Sequence, residues 1–169
     1  MRTRRQHGFT LIELMIALVI FIGLIMLAGP MYSEFNANSH IRNASESILN
    51  GVRFTQAEAV RRNTDARFIL TGSGWDVWAL DLEGVDKQLR AHKFTEGATL
   101  AKVSTTGTVT FNGLGRIAAK NDDGSDPLAA VTVTSPSFPT PHDLQVVIGL
   151  AGVKLCDPKF ASTDPLGCP

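Results

Sequence analysis

Apolar and polar positions divide the chain into three textures. Residues from Leu14 to Gly29 form a charge-free run of 16, and the apolar character continues to Tyr32, 19 residues from its start. As a helix, such a stretch reaches across about 30 Å of hydrocarbon. Beyond it the pattern becomes periodic. Ile41, Ala44, Ile48, Val52 and Ala59, flanked by Leu49 and Val60, recur at helical steps, while Arg42, Asn43, Glu46, Asn50, Arg53 and Arg61 fill the other faces. One stripe of a long helix can therefore pack on a globular head, and core packing rather than cofactor contact is its expected role. The spacing predicts a helix from about Thr10 to about Asn63, roughly 80 Å at 1.5 Å per residue, with Gly51 weakening it locally.

After Asp65 the texture turns to strands. Ala66 to Leu70 and Trp75 to Leu82, joined by Thr71-Gly72-Ser73-Gly74, read as a hairpin with Phe68 and Leu70 facing one way and Trp78, Leu80 and Leu82 alternating. Both tryptophans are expected in the core or covering the sheet. Further candidate strands are Thr99 to Val103, Thr108 to Asn112, Arg116 to Ala118 after a Gly113-Leu114-Gly115 turn, Ala130 to Thr134, and Leu144 to Leu150. Pro136, Pro139 and Pro141 mark a loop before the last of these. Strands following one helix predict an α+β layer arrangement, an antiparallel sheet packed by the long helix.

The chemistry concentrates at the N-terminus. Arg2, Arg4 and Arg5 precede Gly8-Phe9-Thr10-Leu11-Ile12-Glu13, so one carboxylate stands at the edge of a membrane-grade segment. Burying an unpaired acid in hydrocarbon costs several kcal/mol, which makes Glu13 a functional candidate. A secretory signal peptide fits the arginines, but its apolar core is about 7 to 15 residues and needs a small-x-small site, for which Ala28-Gly29-Pro30 is poor. A plain anchor with a cytoplasmic N-terminus fits the length and the arginines. Thr10 and Glu13 also have capping-box spacing. A third reading gives the acid a purpose. If the chain is cut after Gly8, Phe9 carries a charged amine near Glu13, and the two neutralise each other within one subunit or between neighbours.

Gly8-Phe9-Thr10-Leu11-Ile12-Glu13-Leu14, behind a short basic leader, resembles the class III signal of type IV pilins and type II secretion pseudopilins. The resemblance implies a prepilin peptidase that cleaves after Gly8 and methylates Phe9, with Glu13 guiding assembly and Pro30 as the helix-kinking proline; lacking an amide, proline loosens a helix. It also implies the type IV pilin fold: a leader over 1–8, a transmembrane or filament-core helix over 9–32, its amphipathic second half over 33–63, and a β-rich head over 64–169. The layout, with Phe111-Asn112-Gly113-x-Gly115-Arg116 and the tail from Leu150 to Asp157, is similar to the GspH/FimT group and its FimU-like minor pilins. That implies a subunit in the bacterial inner membrane, single-pass, N-terminus cytoplasmic and head periplasmic. Its implied partners are other minor pilins and the major pilin or pseudopilins, besides the peptidase and lipid. The role implied is to initiate or cap a pilus, with a minor pseudopilin of type II secretion as the alternative and a FimT-like DNA-binding pilin for natural transformation as the second.

Charge and remaining candidates narrow this picture. The chain has 16 basic and 16 acidic residues, and loss of the leader leaves 13 basic ones, a net charge of about −3. That balance argues against broad contact with a phosphate backbone. FimT-like DNA-uptake pilins carry a Gly-Arg-x-Arg element where this chain has Gly152-Val153-Lys154, and the lost arginines are lost bidentate phosphate contacts. Lys154 and Lys159, with Arg61, Arg62 and Arg67, are the remaining nucleic-acid candidates, and a set of solvated charges is the favoured reading. Cys156 and Cys168 are expected to form a disulfide closing a short C-terminal loop, with free thiols or a metal site as alternatives. Asp122, Asp123 and Asp126 in Asn121-Asp122-Asp123-Gly124-Ser125-Asp126 are calcium candidates, although the stretch lacks EF-hand spacing and is rich in turn formers. His40, His92 and His142 are scattered, and neither a phosphate loop nor an H-E-x-x-H element occurs. No enzymatic activity, cofactor or small-molecule substrate is expected.

Overall fold

The structure is a computed structural model of the chain that describes residues 10–81, 84–94, 101–135, 142–150 and 152–169, the side chains of 27–30 excepted. It contains one long helix, α1 (Leu11–Arg62), followed by strands. Two compact units divide the chain, Met1–Asn36 and Ala37–Pro169. From Leu11 to Asn36 the first unit is the apolar start of α1. Its large side chains from Leu11 to Met26 are exposed, and an 18-residue window has a mean hydropathy of 2.9. Length and composition suffice for crossing a membrane.

In the second unit α1 carries the expected stripe. Ile41, Ile48, Val52 and Ala59 are fully buried, Ala44 and Leu49 partly, whereas Val60 is about half exposed. Two buried positions on this face are polar. Ser45 and Thr55 satisfy their hydroxyls by donating to the carbonyls of Ile41 and Gly51, each at 2.8 Å, so the stripe stays closed to water without an orphaned group. The helix ends where Asn63 enters the left-handed region at φ 51°, and the Thr64 amide donates to the Ala59 carbonyl at 3.2 Å. Asparagine tolerates that conformation and so stops a helix.

The head has two antiparallel sheets where the sequence predicts one. The first has the order β3-β2-β1-β5 and the second β4-β6-β7-β8, for β1 (Ala66–Thr71), β2 (Gly74–Leu80), β3 (Asp86–Lys93), β4 (Lys102–Val103), β5 (Gly107–Phe111), β6 (Ala130–Thr134), β7 (Leu144–Gly149) and β8 (Gly152–Cys156). A local cause explains the split. The outer carbonyls of β5 are already taken, Thr108 by the Leu128 amide at 2.8 Å and Thr110 by the Ala118 amide at 2.9 Å, so β6 starts a new sheet instead of extending the old one.

The hairpin of β1 and β2 forms as expected, with the alternation shifted. Trp75, Val77 and Ala79 join Phe68 and Leu70 in the core, while Trp78 and Leu80 are only partly buried on the other face. Leu82, Thr99, Leu100 and the three prolines of the 136–141 loop lie outside the described residues. Arg116 to Ala118 is no strand but a single bridge between Ile117 and Phe111. β3 is not among the predicted strands, because Asp86, Lys87, Arg90 and Lys93 leave it little apolar alternation; an edge strand with exposed faces tolerates such charges. Both sheets and α1 meet in one core that includes Val109, Phe111, Val131, Val133, Val146 and Ile148.

Candidate functional site

The N-terminal candidate is built on the first turn of α1. Thr10 accepts the Glu13 amide on its hydroxyl oxygen at 3.3 Å, and its carbonyl takes the Leu14 amide at 3.2 Å, the N-cap half of the predicted box. Glu13 stands in the first helical turn among exposed apolar side chains. Gly8 and Phe9 lie outside the described residues. The backbone of α1 stays helical through Pro30.

On the head, the Phe111–Arg116 element is a turn clamped to the end of α1. Asn112 accepts the amides of Leu114 (3.1 Å) and Arg116 (3.0 Å) on its side-chain oxygen, while the Gly115 amide donates to its carbonyl at 2.7 Å. Gln56 of α1 donates to the Gly115 carbonyl at 2.9 Å. Both glycines are required. A Cβ on Gly113 would lie 2.8 Å from the Asn63 carbonyl carbon, and Gly115 has φ +74° with Val60 2.8 Å from its Cβ position. The element thus fixes the helix terminus against the head rather than offering reactive groups.

The acidic turn is tied up in the same way. Asn121, 5% exposed, donates from its side-chain amide to the carbonyls of Thr108 and Asp126 and to the Ser125 hydroxyl, and accepts from Thr110. Asp122 pairs with Arg67 at 2.8 Å, Asp126 with Lys120 at 2.6 Å, and Asp123 accepts from the Ser125 hydroxyl and amide. The Ser125 hydroxyl bond, followed by its amide, holds the Asp123 carboxyl below its usual range. The three calcium candidates therefore face different partners, and among the described residues no His, Cys, Asp or Glu cluster is arranged to hold a metal.

The basic candidates are likewise engaged within the chain. Arg61 and Arg62 both bind Glu58, at 2.6 and 2.9 Å. The Arg61 hydrogen bond, helped by Arg62 and opposed by burial, holds the Glu58 carboxyl below the ordinary glutamate range. Arg67 bridges Asp86 of β3 and Asp122; burial opposes its charge, and these two bonds outweigh burial and raise its pKa. Lys154 donates to the Gly167 carbonyl at 3.0 Å, and Lys159 also has a partner in the chain. His142 lies 3.8 Å from Asp157 and its amide donates to Asn38 at 3.4 Å, which assembles no triad with Asp143. Cys156 and Cys168 are joined in a disulfide, and the Asp157 amide donates to the Leu166 carbonyl at 2.8 Å inside the loop it closes.

One cluster carried no signal in the sequence. Phe68 and Trp75 pack with ring centroids 5.6 Å apart, His92 stacks on Trp75 at 5.5 Å, and Arg90 lies over the rings of Phe54 (5.5 Å) and Trp75 (5.9 Å). These residues come from α1 and three strands, so only the fold brings them together.

Two known sequence families coincide with these two regions. Residues 3–29 match the prokaryotic N-terminal methylation motif, and residues 44–152 match the type II transport protein GspH. The chain belongs to the GspH family. Its apolar helix and methylation motif fit a membrane-anchored pilin-type protein. The C-terminal disulfide loop continues past the GspH match to Cys168. A solved structure with the same fold is the type IV minor pilin FimU of Pseudomonas aeruginosa strain PAO1, at a TM-score of 0.54 and 18% identity over 77% of this chain and 98% of that one. The GspH-family chain thus has the type IV pilin fold, a long N-terminal helix packed on antiparallel sheet.

Proposed function

We propose that this protein is a minor type IV pilin, a structural subunit that helps initiate or cap a filament. The observation that carries the reading is the union on one chain of a methylation motif over 3–29 with a GspH head over 44–152. A prepilin peptidase cuts between Gly8 and Phe9 and methylates the new amine. Glu13, at the membrane edge, then pairs with the amine of Phe9 in its own or a neighbouring subunit, which relieves two costly charges and sets the axial register. Pro30 loosens α1 near the membrane exit. The N-terminus is cytoplasmic, the head periplasmic, and the partners are the other minor and major pilins. The protein builds and contacts; it does not catalyse.

Mass spectrometry of the mature protein tests this. A chain starting at methylated Phe9 is expected; a start near residue 30 would reveal an ordinary secreted protein instead. A second reading, a minor pseudopilin of type II secretion, is consistent with the description of the matched family, type II transport protein GspH. Recovery of the protein in sheared surface filaments supports the pilus, and its confinement to the cell envelope supports the pseudopilus.

A further inference from the structure

On the face of the head bounded by α1 and β3 lies a groove of about 310 Å³. Asn43, Ser47 and Asn50 line one wall at helical steps of four and three, Glu46 stands beside them, and Arg90 and His92 of β3 line the other. Gly51 and Trp75 form the floor, and the Trp75 indole donates to the Ser47 hydroxyl at 3.1 Å. Nothing in the sequence singles out this stripe, because Asn43 and Asn50 read simply as the solvated side of the helix.

Arg90 sets the chemistry. Its guanidinium lies over the Phe54 and Trp75 rings, and among the described residues no carboxylate approaches it within ion-pair distance. Other arginines of the head do bind acids: Arg61 and Arg62 bind Glu58, and Arg67 binds Asp86 and Asp122. Contact with an aromatic face occupies the π side of a guanidinium and leaves its in-plane fork of N–H donors for a planar carboxylate. Glu46, which also lines the groove, is already paired with Arg42 at 2.8 Å. Asp86, the acid of β3, is held by Arg67, so the strand's uncompensated charge from Lys87, Arg90 and Lys93 is positive.

We propose that this groove binds a carboxylate side chain presented by an acidic segment of a partner protein, with Arg90 as the bidentate contact and Asn43 and Asn50 as flanking amide donors. The aromatic seat holds the guanidinium in place beforehand, so little side-chain freedom is lost on binding. Identifying the partner as a neighbouring subunit rests on the pilin reading above. The binding itself does not.

Titration of the full chain in nonionic detergent micelles with a hexaglutamate peptide, followed by calorimetry and tryptophan fluorescence, tests the site. Saturable binding is expected. Arg90→Lys should weaken it by about fivefold or more although the charge is kept, because an ammonium lacks the fork. Lys93→Gln, a probe of general attraction to polyanions, should weaken it by about twofold or less at moderate salt. The double variant Asn43→Ala with Asn50→Ala, both exposed positions, should also lower affinity with an unchanged melting curve. Failure of the wild type to bind saturably, equal binding by Arg90→Lys, or an equal loss in Lys93→Gln would each overturn the proposal. None of these outcomes bears on the mature N-terminus, so the pilin reading stands or falls separately.

Discussion

Gly51 of α1 rests against the ring of Phe68: a Cβ added there would lie 2.7 Å from Phe68 Cε2 and 3.1 Å from two atoms of Trp75. Both rings are almost wholly buried, so neither has space to retreat. In an exposed helix, replacing Gly with Ala stabilises by about 0.5 to 1 kcal/mol. Here the overpacking cost, about 1 to 3 kcal/mol, outweighs it. Gly51→Ala is therefore expected to lower stability by about 1 to 2 kcal/mol in denaturant unfolding; a gain would show that the helix does not sit this close to the sheet.

That glycine also shows what the sequence conceals. Its local cost to the helix is legible, but its benefit depends on Phe68 and Trp75, which lie 17 and 24 positions on. The helix and the β1–β2 hairpin are readable because their periodicity is local. The split into two sheets is not, since it depends on Ala118 and Leu128 reaching back to β5. β3 hides behind its own charges. Of the candidate residues, Glu13 stands out by its position in an apolar run, whereas the acids of the 121–126 turn look like a cation site only until Arg67 and Lys120 are seen beside them.

Glu58 should make stability depend on acid. Its carboxyl is held below its ordinary range in the folded chain, chiefly by Arg61, so its contribution is fully present above the unfolded-state value of about 4.3 and fades as pH falls through the lower folded value. Wild type and Glu58→Gln should differ at neutral pH and draw together as the pH falls from the ordinary glutamate range through the lower folded value. Melting curves across pH 3 to 7 check this, with the difference about 1 kcal/mol or less because Arg61 is largely solvated.

Reduction of the Cys156–Cys168 bond, or replacement of both residues by Ser, should cost about 3 kcal/mol in the chain-entropy description of a loop with sequence separation 12. The loss should be largest in local protection of the Asp157 amide, which donates to Leu166 across that loop. Hydrogen exchange of this amide, compared with that of a β1 amide, reads the effect.

Glu13→Ala should insert into the membrane as well as wild type, because it removes a costly group. Incorporation into filaments should nevertheless fall by about tenfold or more if the pair with the Phe9 amine sets the register. Normal incorporation of the variant, measured in sheared filaments against the membrane fraction, would argue strongly against an assembly role.

The occupied outer edge of β5 has a consequence for life in a crowd. In the filament proposed above, a subunit faces its neighbours' strand edges at high local concentration, where stray pairing would seed cross-β aggregates. The carbonyls of Thr108 and Thr110 are closed to such a strand by Leu128 and Ala118, and the opposite edge of that sheet, β3, is guarded by Lys87, Arg90 and Lys93. The first sheet of the head is thereby insulated against polymerising along the wrong axis.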